Sequence, residues 1–137
     1  MLFECKFQKI AAQHNCQQVL WLFGPDEEIT EVGAMNIFAF FRHSNGQKEL
    51  VTPSLESGLI LPGVTRLSIL ELTKSWNEFE ISERKLTIHE ILEGAKNETL
   101  LEVFGAGTAV IISPVGNILY GGKMNPLPVP EDGLSQR

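Results

Sequence analysis

Cysteine is scarce in this 137-residue chain: Cys5 and Cys16 are the only two. They lie far apart with only His14 between them and make no C-x-x-C or H-x-x-x-H spacing, so neither a disulfide framework nor a metal site is expected. Two thiols without a secretory signal fit a reducing compartment. Long apolar runs are missing as well, each falling well short of the ~18–20 residues of a membrane span. The start, Met1-Leu2-Phe3-Glu4-Cys5-Lys6, has no apolar signal region, and no Arg-rich transit sequence is visible. Cations are few, 11 Lys and Arg against 17 Asp and Glu for a net charge of −6. They are scattered rather than clustered, which argues against a nucleic-acid surface. No repeat with a period of roughly 20–50 residues occurs, so solenoids are excluded too.

What remains is an ordinary globular composition. An apolar fraction of 43% is enough for one core at this length. Residues 8–16 read as the tail of a helix, with Ile10 and His14 one turn apart. Val19–Phe23 is a continuous apolar run that suits a strand buried on both faces, and Gly24-Pro25-Asp26 turns the chain. Residues 30–41 read as the next strand. Asn45-Gly46 is a strong hairpin signal, pairing Glu49–Thr52 back against residues 37–41. A helix is expected at about 65–76 and a short strand at Phe79–Glu83.

Thr87-Ile88-His89-Glu90 is a capping box that opens a second helix running to about Lys96. Leu100–Phe104 and Ala109–Val115 read as strands around Gly105-Ala106-Gly107. Gly116-Asn117 turns into Ile118–Tyr120, and Pro126, Pro128 and Pro130 confine the tail to an edge or surface path. The pattern predicts an α/β (α+β) domain with a mixed, largely antiparallel sheet.

The stretch that organises the chain is Gly58-Leu59-Ile60-Leu61-Pro62-Gly63-Val64-Thr65-Arg66. An apolar run stops at Pro-Gly, and a helical pattern with Ile69, Leu72 and Trp76 on one face follows. The amides of Val64 and Thr65 fall in the first turn, where no intrahelical acceptor exists and the helix dipole is positive, so an anion such as a phosphate can sit there. An ordinary helix start has the same amides, and spacing alone does not separate the two readings.

Four further strings keep it company: Gln18-Val19-Leu20-Trp21-Leu22-Phe23-Gly24, Thr30-Glu31-Val32-Gly33-Ala34-Met35-Asn36, Trp76-Asn77-Glu78-Phe79 and Phe104-Gly105-Ala106-Gly107-Thr108-Ala109. In this order they closely resemble the C-terminal half of the branched-chain amino acid aminotransferases, fold-type IV enzymes that use pyridoxal 5'-phosphate. The resemblance runs from about Lys9 to the chain end. It implies a partial large, cofactor-binding domain over residues 8–137 after an unmatched leader of residues 1–7, with the small domain and the terminal helix absent. It also implies amino transfer from leucine, isoleucine or valine to 2-oxoglutarate, a homodimer in the full-length family, and a cytoplasmic or mitochondrial setting.

The resemblance assigns Glu31 to the pyridine nitrogen, which must stay protonated for the cofactor to draw electrons from the substrate α-carbon. It assigns the amides of Val64 and Thr65, with the Thr65 hydroxyl as an extra donor, and Thr108 to the cofactor phosphate. The amides of Thr108 and Ala109 are assigned to the substrate carboxylate. Glycines let backbone approach a ligand closely, and successive amides make an anion nest.

Departures from the family pattern are equally specific. Ala106 stands where serine is usual and Ala34 where threonine is common. Val110 and Ser113 occupy the positions of a redox-active C-x-x-C pair in vertebrate relatives, so that thiol switch is not expected. The cofactor-tethering lysine belongs to a Lys-x-Gly-Gly-Asn-Tyr motif that occurs nowhere in these residues. Neither Lys6 nor Lys9 inherits its role, and no catalytic residue is assigned. The chain alone is therefore expected to be inactive. Other readings stay open: a non-catalytic fragment or pseudoenzyme acting as a dimerisation partner, or another fold-type IV enzyme such as a D-amino acid aminotransferase or aminodeoxychorismate lyase.

Overall fold

A computed structural model describes residues 6–108 and 111–136. Helix α1 (Lys6–Gln13) leads into strands β1 (Leu20–Phe23), β2 (Glu28–Val32), β3 (Met35–Arg42) and β4 (Lys48–Thr52). Helix α2 (Val64–Trp76), strand β5 (Glu80–Glu83), helix α3 (Ile88–Lys96) and strands β6 (Leu100–Ala106) and β7 (Ile112–Pro114) follow. A separate ribbon of β8 (Asn117–Tyr120) and β9 (Lys123–Pro126) precedes a final 3-10 turn, Leu134–Gln136.

The seven-stranded sheet is organised around β3, the strand with the longest apolar run. Its residues from Asn36 to Phe41 pair with β6 on one side. On the other side it is shared, with Met35 and Asn36 pairing with β2 and Ala39 to Arg42 pairing with β4. The sheet therefore splits on that side, next to Ile37. The Thr52 hydroxyl donates to the Ile37 carbonyl at 2.7 Å, so the acceptor left open by the split is satisfied by a side chain. Among the described residues only the β4–β5 pair is parallel, and every other strand pairing is antiparallel. The mixed, largely antiparallel sheet expected from the sequence is what forms.

Directly opposed residues share a face of the sheet, and the two faces build two cores. Ile37, Ala39, Phe41, Val51 and Val103 pack with Ile88 and Ile91 of α3. Phe38, Phe40, Leu50, Phe104 and Ala106 pack with Leu70 of α2, the Phe38 and Phe104 rings stacking at 5.2 Å.

Three expectations need correction. Residues 30–41 are not one strand but two: Gly33 takes a φ of +57°, a region glycine enters without penalty, and Val32 pairs with Met35 across a two-residue turn. Val19–Phe23 is not buried on both faces. Its core, β1, is an edge strand with half-buried Leu20, Trp21 and Leu22 and exposed Phe23, because an apolar run records the absence of charge and not the number of neighbours. Asn117 is a strand residue rather than a turn residue, and it opens a hairpin turning at Gly121 and Gly122 whose second strand, β9, went unread. The first two residues of the expected 109–115 strand lie outside the described residues. The Asn-Gly hairpin pairs as expected, Ala39 opposite Val51 and Phe41 opposite Glu49.

Candidate functional site

The two helices that flank the sheet begin differently. Helix α3 starts with every side-chain cap in place: the Thr87 hydroxyl accepts from the Glu90 amide at 3.3 Å, and the Glu90 carboxylate accepts from the Thr87 amide at 3.1 Å. Helix α2 starts at Gly63, which supplies no side-chain cap. Ser, Thr, Asp or Asn at such a position would bond an amide of the first turn; glycine leaves the amides of Val64, Thr65 and Arg66 without that partner. Val64 is 77% exposed, so this helix start faces outward.

The approach to α2 is held by the β2–β3 hairpin. Glu31 and Asn36 are directly opposed, and Asn36 is opposed in turn by Ala106 of β6. The three therefore share one row on one face. The Glu31 carboxylate accepts from the Leu61 amide at 2.9 Å, and the Asn36 amide group donates to the Leu61 carbonyl at 2.9 Å. From the far side of the helix start, buried Arg66 donates to the Pro53 carbonyl at 3.2 Å and pairs with Glu83 at 2.7 Å.

The turn after β6 joins the same corner. The Thr65 hydroxyl donates to the Gly107 carbonyl at 3.1 Å, and the Gly107 amide donates to the Ile111 carbonyl. This hydroxyl thus ties the helix start to the turn. Thr108 follows Gly107 and is exposed. Ala109 lies outside the described residues. Glu31, the first turn of α2 and the Gly107-Thr108 turn are linked through Leu61 and Thr65 by side-chain hydrogen bonds.

Two grooves lie away from this corner. One of about 320 Å³ runs between Phe40, Phe79, Glu102 and Leu134, and another of about 610 Å³ runs between Phe7, Val19, Met35 and Leu119. Neither is lined by Glu31, Val64 or Thr108. Among the described residues no cluster of three metal-ligating side chains occurs, and no helix is long and apolar enough to cross a membrane.

Two residues of this corner escaped sequence reading. Asn36 is a lone amide in the apolar run from Met35 to Phe41, 7% exposed, and a buried amide in such a run needs a partner; that was the available signal. Arg66, 3% exposed, carried none, since its partners Pro53 and Glu83 are distant in sequence.

A pyridoxal phosphate fits this donor set. It is an anion at one end and a pyridinium at the other, and the corner offers uncapped helix amides and a glycine-rich turn on one side and a carboxylate on the other.

The branched-chain-amino-acid aminotransferase named cytosolic from Caenorhabditis elegans is 53% identical over 85% of this chain and 28% of its own length. The mitochondrial one from Bos taurus is 51% identical over 92% of this chain and 32% of its own. The chain thus spans about a third or less of the length of these curated relatives. The solved branched-chain amino acid aminotransferase from Escherichia coli superposes with a TM-score of 0.62 at 32% identity, over 79% of this chain and 32% of that one. The family model described as amino-transferase class IV matches residues 1–118, and on that match, with the fold in agreement, the chain belongs to the class IV aminotransferases.

Proposed function

We propose that this chain carries the cofactor-cradling part of a pyridoxal-phosphate-dependent branched-chain aminotransferase, which moves the amino group of leucine, isoleucine or valine to 2-oxoglutarate. The observation that carries the reading is the hydrogen-bonded corner joining Glu31, the uncapped start of α2 and the Gly107-Thr108 turn. The substrate class rests on what the similar proteins are called.

When bound, the cofactor supplies an electron sink for the carbanion formed at the substrate α-carbon. Glu31 holds the proton on the pyridine nitrogen; a carboxylate accepts through two oxygens, so gripping Leu61 through one is compatible with facing the ring through the other. The Val64 and Thr65 amides, with Thr108, hold the phosphate where the helix dipole favours negative charge. The amides of Thr108 and Ala109 orient the substrate carboxylate, while the Thr65 hydroxyl keeps that turn against α2. No Lys-x-Gly-Gly-Asn-Tyr string occurs in these residues, so the tethering amine is not assigned to this chain, and by itself it binds the cofactor without turnover. Residues 8–137 belong to the large domain of the complete enzyme, which acts as a homodimer in the cytosol or mitochondrion.

Titration of the chain with pyridoxal 5'-phosphate, followed by its absorption, tests this. Saturable binding is expected, displaced by inorganic phosphate and weakened at least ~10-fold in Glu31→Gln, about the worth of one charge-assisted hydrogen bond. Borohydride reduction should leave no single stoichiometrically labelled lysine. Absence of saturable binding, or binding indifferent to both phosphate and Glu31→Gln, would overturn the reading.

A further inference from the structure

Asn36 is not among the groups assigned to the cofactor, yet the corner is built around it. The residue is 7% exposed, and its side-chain amide donates to the Leu61 carbonyl at 2.9 Å. The same peptide segment is gripped from the β2 side, where Glu31 accepts from the Leu61 amide at 2.9 Å. Leu61 also accepts from the Gly63 amide at 2.9 Å, which closes the turn directly before the first helical residue.

Gly63 completes the fit. A Cβ at that position would collide with Oδ1 of Asn36, so the amide group of a neighbouring strand occupies the space that a capping side chain would fill. The φ of Gly63 is −65°, a value any residue adopts, so glycine is required here by contact and not by backbone conformation. The arrangement denies the helix start its own cap and fixes its distance from the hairpin at once.

We propose that Asn36 is a positioning residue for cofactor binding: by clamping Leu61 against Gly63 it sets the separation between the Glu31 carboxylate and the first-turn amides of α2. This rests on the cofactor reading above. A rigid ligand that is anionic at one end and cationic at the other gains from two contacts only when their spacing matches its own length. Glu31 and Asn36 belong to one tight hairpin and are directly opposed, so the acid and the clamp move as a unit. The start of α2 is tied to that unit through one residue, Leu61, whose amide and carbonyl are both bonded by it.

The test compares a ligand that needs both ends with one that needs a single end. Dissociation constants of pyridoxal 5'-phosphate and of inorganic phosphate are measured for the wild-type chain, Asn36→Ala, Gly63→Ala and the double variant, with circular dichroism confirming the fold. Each single variant is expected to weaken pyridoxal phosphate at least tenfold while inorganic phosphate changes less than twofold. The double variant should bind no more weakly than Asn36→Ala, because the added Cβ finds room once the amide is gone. Gly63→Ala disturbs the clamp from the helix side, so it serves if Asn36→Ala does not fold.

Parallel loss of both ligands, loss of neither, or additive effects in the double variant would overturn the positioning role. Failure of the wild-type chain to bind pyridoxal phosphate sinks the cofactor reading and this proposal with it. Normal wild-type binding with unaffected variants sinks this proposal alone.

Discussion

Glu49 shows how one residue can carry charge inside a sheet. It is 7% exposed on β4, with His43 at 2.9 Å and Arg84 at 3.3 Å from its carboxylate. Burial alone raises its pKa, but hydrogen bonds from Arg84, Ser82 and His43, together with the Arg84 charge, outweigh it and hold the group at about 2 against an ordinary 4.5. The folded value lies below the unfolded one, so the native state binds fewer protons over this interval. The stabilisation is fully present above the unfolded value and is lost as pH falls through the folded one. Urea unfolding should therefore give a free energy that drops between pH 4.5 and 2 more steeply for the wild-type chain than for Glu49→Gln. Equal slopes would take Glu49 out of the acid response.

At the scale of elements, α2 and α3 differ in how their first turns are held: Gly63 gives α2 no side-chain cap, and Thr87 and Glu90 give α3 a complete box. In α3 the orphan amides are spent on Thr87 and Glu90, while Ile88 and Ile91 are fully buried against the sheet. Arg84 adds a contact to Glu90 at 3.0 Å. Thr87→Ala removes one half of the box and should cost about 1 kcal/mol. For a domain of this size that is a fall of roughly 4 °C in thermal midpoint. Pyridoxal phosphate affinity should not change, since α3 lies on the opposite face. A midpoint within error of wild type would show that the box contributes nothing.

At the scale of the whole molecule, the C-terminal segment joins the two faces. Leu127 packs into the α3-side core and Leu134 against the α2-side core, so the chain between them passes from one side of the sheet to the other. Its end is fastened by Glu102, 1% exposed, whose carboxylate accepts from the Leu134 amide at 2.7 Å and the Ser135 amide at 3.1 Å. Glu102→Ala leaves those amides unpartnered and should cost about 1–3 kcal/mol. Limited proteolysis should then cut within residues 128–136 several-fold faster, and an unchanged cleavage rate would count against the fastening. The same scale explains a liability: Leu61, Val64 and Leu67 are 73%, 77% and 55% exposed, an apolar patch beside the candidate site of the kind that promotes association. Leu67→Gln should raise solubility in a precipitation assay with a thermal midpoint close to wild type, because surface substitutions shift stability by only about 0.5 kcal/mol.

Local chemistry was enough to determine much of this from the sequence. The capping box of α3, the Asn-Gly hairpin, the Pro-Gly start of α2 and the glycine turn after β6 each follow from interactions within a few residues, and so they were legible in order. The resemblance of five strings placed Glu31, Val64, Thr65 and Thr108 in one family pattern, and the structure brings their segments into one corner. Only the tertiary structure decided the rest. That β3 is shared by two strands along one side, that β1 is an edge, that Asn36 fills the space beside Gly63 and that Glu102 holds the tail all depend on residues far apart in the chain. Periodicity records what a segment prefers to bury. It carries no information about which distant donor meets which acceptor, because that is settled only when the sheet register closes.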